Sequence, residues 1–127
     1  MLELNVQNET SRLRTVVLGI ATSSGPVPSP SDAYDPKSLE HILAGTYPLE
    51  ADMITEMDGF EAVLKKYGVT VYRPEILEDC NQIFSRDIAF VIEDKLFKAN
   101  ILPKREKEFL ALGEVLDLIP TENIVYP

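Results

Sequence analysis

Two periods of apolar and polar residues alternate along this chain, and they divide it into elements. Arg14-Thr-Val-Val-Leu-Gly-Ile-Ala21 is β-branched and apolar and ends beside a glycine, which predicts a buried strand. Further on, Leu49, Met53, Met57, Phe60 and Leu64 recur every three or four residues, the spacing of one helix face. Thr46 and Pro48 suit the N-cap and first turn of that helix, and Gly68 its end. Lys65 and Lys66 complement its C-terminal dipole. The helix is expected to bury the apolar stripe and to expose Glu50, Asp52, Glu56 and Glu61. Val69-Thr-Val-Tyr72 then returns as a strand before Arg73-Pro74. Strand, helix and strand in this order require a crossover, and so some parallel or mixed pairing.

The pattern repeats weakly. Ile88-Ala-Phe-Val-Ile-Glu93 is too short for most helices and fits a strand covered on both faces. Glu93-Asp94-Lys95 supplies a turn, and Leu96-Phe-Lys-Ala99 returns as a second strand. Pro103 opens a helix running to about Leu118, and Asn123 to Tyr126 begins another strand. Strand, helix, strand therefore occurs twice. Residues 1–11 are polar and predict a mobile lead-in. Residues 22–36 carry Ser, Gly, Asp and four prolines, a composition that refuses helix and sheet alike. A loop of that length is usually functional or disordered, or else an ordinary surface insertion. Lys37 to Ala44 predicts a short helix closed by Gly45.

Composition limits the possible partners. A chain of 127 residues suits one domain with a sizeable core. Its formal charge of −9 speaks against nucleic acid and anionic membranes, and would not repel a small cationic substrate. One cysteine rules out an internal disulfide, and one cysteine with one histidine cannot make a Cys/His zinc cage. The N-terminal residues show no basic region followed by an apolar one, and no run approaches 18 apolar residues, so a reducing cytoplasm is the expected compartment.

The candidate chemistry centres on Asp87, where a polar loop meets the apolar run. A desolvated Asp87 needs compensation from Arg86, a substrate or backbone N–H groups. A structural Asp87 paired with Arg86 satisfies the same residues. Read from the residues alone, Arg105 at a helix start is a surface arginine paired with Glu108 three residues on. Cys80 adjoins Glu78 and Asp79, which disfavour a thiolate, so it reads as a plain thiol. His41 reads as a surface or partly buried histidine.

Asn81-x-x-Phe84-x-Arg86-Asp87 before an apolar strand, followed by a hairpin and Arg105-x-x-Glu108, resembles the first signature of the guanidino-group-modifying enzymes. These are the amidinotransferases, arginine deiminases and dimethylarginine hydrolases, and the resemblance runs from about Arg14 to the last residue. It implies an α/β fold, a five-bladed α/β propeller (pentein-like) of ββαβ units. A unit takes about 30 or more residues, so this chain accounts for about two blades. The resemblance implies Asp87 as a catalytic carboxylate on the guanidino group, a flat cation rich in N–H donors that a carboxylate with two oxygens in its plane holds best. It implies Asn81, Arg86 and Arg105 as substrate-binding residues, Arg105 for the carboxylate of an amino-acid substrate. It also implies an arginine-like substrate and, for residues 22–36, a lid. Family chemistry uses a Cys thiolate that attacks the amidine carbon, and a His that moves protons. Both fall beyond residue 127, since Cys80 and His41 match neither in position nor context. The chain alone is therefore expected to be inactive and to travel with a complementary C-terminal fragment or self-associate, because two blades leave open sheet edges. The chemistry requires no cofactor or metal. The long Pro/Ser loop and Gly68-Val-Thr-Val-Tyr-Arg-Pro74 favour the amidinotransferase branch over the hydrolases. A non-catalytic binding or assembly module of the same fold, and a small acidic α/β domain with an incidental motif, are the readings from other classes.

Overall fold

Short strands and one long helix build two small sheets, seen in a computed structural model that describes residues 1–127. β1 (Thr15–Val17) leads through the proline-rich loop to α1 (Pro36–Ala44), and α2 (Glu50–Lys66) then returns to β2 (Thr70–Tyr72). β1 and β2 pair in parallel, Val16 opposite Val71, as the crossover demands. Beyond a 3-10 turn at Ser85–Asp87, β3 (Ala89–Ile92) and β4 (Lys95–Lys98) form an antiparallel hairpin. α3 (Glu106–Leu110) and α4 (Gly113–Leu116) follow, and β5 (Ile124–Val125) pairs in parallel with β4. The second unit therefore has the order strand, strand, helix, strand, whereas the first has a single strand before its helices.

Local chemistry sets the ends of α1. Asp35 caps it by accepting hydrogen bonds from the backbone N–H and the hydroxyl of Ser38, and these bonds hold the Asp35 carboxyl below its ordinary range. Gly45 closes it in the left-handed region at φ 70°. α2 departs from the sequence reading at its start. Leu49 takes the cap position without a side-chain bond, while the Thr46 hydroxyl pairs with His41 Nδ1 at 2.8 Å.

The apolar stripe of α2 is only half covered. Met53, Met57 and Leu64 are partly buried, but Leu49 and Phe60 are exposed and no residue of the helix is fully buried. The reason is geometric: a helix of this length runs about 25 Å, whereas two paired strands make a sheet only about 10 Å wide. What docks it is polar. Arg73 donates to the Glu61 carboxylate at 2.7 Å and to the Gly19 carbonyl at 3.1 Å, joining helix to sheet, and Lys65 reaches Glu61 at 3.0 Å. The hydrogen bond from Lys65, then the charge of Arg73, hold the Glu61 carboxyl below its ordinary value near 4.5. A carboxyl whose folded value is depressed stabilises the fold above its unfolded value, and that contribution is lost as pH falls through the folded one. The urea midpoint is therefore expected to drop below pH 4.5, and Glu61→Gln should flatten part of that drop. An identical acid profile in wild type and variant would contradict the clamp.

The main core lies under the second sheet. Ile88, Leu96, Phe109, Leu112 and Ile119 cluster, with Leu2, Leu4, Val91 and Ile124 packed on them. Within residues 1–11, expected as a mobile lead-in, Leu2 and Leu4 take part in this packing. Val6 also exchanges two backbone hydrogen bonds with Glu93 at 3.0 and 2.8 Å. β3 is not covered on both faces as its apolar run suggests: Ala89 and Val91 turn inward, while Phe90 and Ile92 are about half exposed. An antiparallel sheet needs only one face on a core. Phe90 instead stacks on Phe97 across the hairpin, centroids 5.4 Å apart. The helix expected from Pro103 to Leu118 is broken, with a 3-10 turn at Pro103–Arg105 and α3 and α4 separated at Ala111 and Leu112. Burial of Ala111, Leu112 and Val115 bends it over the core.

Candidate active site

An open cavity of about 600 Å³ lies between the two units. Asn81, Arg86, Asp87 and Arg105, the four residues singled out in the sequence, all line it. They come from two separate stretches. The turn at Asn81–Asp87 is positioned by Gln82, which is buried and holds the preceding loop by accepting from Leu77 N–H at 2.9 Å and donating to the Glu75 carbonyl at 2.8 Å. Its own carbonyl accepts from Ile20 N–H at 3.1 Å, which anchors the turn to the first unit. Gly19 permits this approach, since a Cβ there would lie 2.3 Å from the Ile83 carbonyl oxygen.

Asp87 stands in the 3-10 turn just ahead of β3, its side chain 41% exposed, more open than a strand entrance in a core would make it. Oδ2 accepts from Arg105 Nη1 at 3.2 Å. Oδ1 meets only Arg86 Nε at 3.5 Å, and the Arg86 side chain is 85% exposed. The expected pairing with Arg86 is therefore present but long. Asn81 closes its own turn, its Oδ1 accepting from Ile83 N–H at 3.2 Å.

Arg105 makes the expected pair with Glu108 three residues on, but in a largely buried setting instead of at the surface. Its Nε and Nη2 donate to Glu108 Oε2 and Oε1 at 2.7 and 2.9 Å, Nη2 also reaches the Phe84 carbonyl at 3.4 Å, and Nη1 holds Asp87. Of the five N–H donors of a guanidinium, one remains on Nη1. These carboxylates, Glu108 above all, push the Arg105 pKa up, so it stays charged at any ordinary pH. Glu108 stands in the signature Arg105-x-x-Glu108, but the sequence reading gives it no role beyond that of a surface partner. It is 5% exposed and lines the cavity.

The remaining wall comes from elsewhere. Tyr34 and Asp35 at the end of the proline-rich loop, Lys37, Ser38 and His41 of α1, Tyr47 and Met53 complete it. Tyr34 and Asp35 belong to the segment 22–36 expected as a lid, whereas no pattern in the sequence marks the others as neighbours of Asp87. The loop is pinned to the opposite turn by Cys80 N–H donating to the Ser23 carbonyl at 2.9 Å, and the Lys104 ammonium sits 4.1 Å from the Tyr34 ring centroid. Cys80 is buried, and burial pushes its thiol up, with Glu108 adding to this and Lys107 and Arg105 opposing it. Burial, not the adjacent Glu78 and Asp79, makes it a poor nucleophile. No group of three or more His, Cys, Asp or Glu side chains is placed to hold a metal, and no helix is long and apolar enough to cross a membrane.

Parallel crossover, hairpin and returning strand around a carboxylate-bearing cavity make this a mixed α/β domain with the fold of part of an amidinotransferase. Two solved structures carry that statement. Over 99% of its length the chain is similar to an inosamine-phosphate amidinotransferase from Streptomyces griseus, with a TM-score of 0.70 and 22% identity, and covers 43% of that chain. Over 96% it is similar to an amidinotransferase of the saxitoxin biosynthetic pathway from Microseira wollei, with a TM-score of 0.60 and 19% identity, and covers 42% of it. The chain thus spans less than half the length of either. No family model matches it, and no curated protein does. The resemblance drawn from the signature residues holds at the level of the fold.

Proposed function

We propose that this chain is the guanidine-binding portion of an amidinotransferase-like enzyme acting on arginine or a related compound. The observation that carries the reading is Asp87 itself: at the cavity wall its Oδ2 accepts from Arg105 Nη1 at 3.2 Å, while its Oδ1 meets only the exposed Arg86 at 3.5 Å and is the less satisfied oxygen. A partly exposed carboxylate with a spare oxygen suits a flat cation. The thiolate and histidine that the transfer chemistry needs come from outside residues 1–127. The two solved structures compared above are amidinotransferases, which supports transfer over hydrolysis. The 22–36 loop, which brings Tyr34 to the wall, serves as the cover of the site. The order of elements supports one ββαβ blade in the second unit and part of another in the first.

A complementary portion of propeller, or a second copy, covers the apolar surface this chain exposes: Phe60 and Val63 on α2, Tyr67 just after it, and Phe90 and Ile92 on β3. The test of the function is direct. Calorimetric titration of the chain with agmatine should show binding, and Asp87→Asn should weaken it about 10- to 100-fold, the 1.5–3 kcal/mol of a charged hydrogen bond. Equal affinity in the two proteins would remove Asp87 from the site. A stable monomer with no exposed-patch dye binding would contradict the covering partner.

A further inference from the structure

The cavity wall holds a second device besides the carboxylate. Glu108 is buried and charged, a state tolerated only when both oxygens are paired. Arg105 pairs both, through Nε and Nη2, and this bidentate contact fixes the plane of its guanidinium. With that plane fixed, Nη1 is directed at Asp87 Oδ2. The Phe84 carbonyl receives another N–H from the same fork, so Arg105 also braces the backbone of the turn that carries Asp87. Asp87 has little else to orient it: its only other contact is the long one to exposed Arg86. A lysine would not do this, because a point charge on a flexible stem cannot hold two carboxylates and a carbonyl in one plane.

We infer that Arg105, locked by Glu108, is a positioning residue that aims the Asp87 carboxylate at the guanidinium of the substrate, and that it is not the group that reads a substrate carboxylate. The inference rests on the guanidine-binding role of Asp87 proposed above. Four of the five donors of Arg105 are spent on the protein, which leaves too few for a bidentate grip on a second carboxylate. It predicts that loss of Arg105 harms every guanidine ligand alike, whatever its other end carries.

Arginine and agmatine, which differ by the carboxylate, separate the possibilities when titrated into the full chain. Arg105→Lys should weaken both by the same factor, about tenfold, as expected for one charged hydrogen bond, and Glu108→Gln should reproduce the effect with Arg105 intact. In an Asp87→Asn background, Arg105→Lys should have no further effect. A larger loss for arginine than for agmatine, or no loss for either, overturns the inference while leaving the role of Asp87 standing. Failure of the wild-type chain to bind either ligand overturns both. Because a variant can unfold, the wild-type Arg105 Nε–H resonance serves as an independent reading. It should be the same in the arginine-bound and agmatine-bound forms, and a shift between them would mark direct contact with the carboxylate.

Discussion

Phe109→Ala is expected to lower the stability of the chain by about 3–5 kcal/mol, the cost of emptying an aromatic site in a packed core. Phe109 is 2% exposed and lies among Ile88, Leu96, Leu112 and Ile119. Tyr126 meets its ring edge-on at 6.0 Å, and the Lys98 ammonium sits 5.4 Å from the ring centroid. Lys98 is in turn paired with Glu106, so the ring is also the floor of an ion pair joining β4 to α3. Small domains hold only about 5–15 kcal/mol in all; a loss of this size puts the folded state at risk. The effect should reach the site, because Glu108 is the residue before Phe109 and shares its short helix. Urea denaturation measures it. A loss under about 1 kcal/mol would show that the surrounding side chains collapse into the space, which the scatter of such substitutions ties to local packing.

The second large effect is expected at Gly19. An alanine Cβ there would lie 2.3 Å from the Ile83 carbonyl oxygen and 2.5 Å from that of Gln82, and both obstacles are backbone. No rotamer relieves such a clash. The turn must move away, breaking the hydrogen bond from Ile20 to Gln82 and straining the one from Arg73 to the Gly19 carbonyl. A cost of about 3 kcal/mol follows from overpacking, together with weaker agmatine binding because Asn81 and Ile83 line the cavity. Gly59, inside α2 with nothing near its would-be Cβ, provides the contrast. There an alanine should raise stability by about 0.5–1 kcal/mol, by restricting the unfolded chain and favouring helix. Thermal melts of the two variants should move in opposite directions.

Much of the element order is legible in the residues. The β-branched run after Arg14, the three- and four-residue spacing in α2, the hairpin at Glu93-Asp94 and the parallel crossover all follow from local periods, and local periods survive whatever the rest of the chain does. α1 starts one residue ahead of the expected Lys37, at Pro36, with Asp35 as its cap. Where neighbours in space decide, the residues alone mislead. The run at Ala89–Ile92 looks buried on both sides because Phe90 and Ile92 are apolar, yet they face outward. The helix after Pro103 looks continuous because its pattern has no proline inside, yet the core bends it.

The candidate site divides in the same way. Asn81, Arg86 and Asp87 sit within seven positions, and Arg105 and Glu108 within four, so each group is visible as a cluster of chemistry by spacing alone. Which donor meets which acceptor is a matter of tertiary placement. Arg105 and Asp87 are 18 residues apart, and only the fold of the hairpin and α3 brings Nη1 to Oδ2. The wall from His41 and Tyr47 has no local signature at all, and Tyr34 is legible only as part of the lid expected from residues 22–36. Side-chain type and short-range spacing determined that a carboxylate and two arginines stand near a strand. Packing over long sequence distances decided that one arginine is locked in place and that the carboxylate is left with an oxygen to spare, because the direction of a side chain depends on contacts that no local stretch contains.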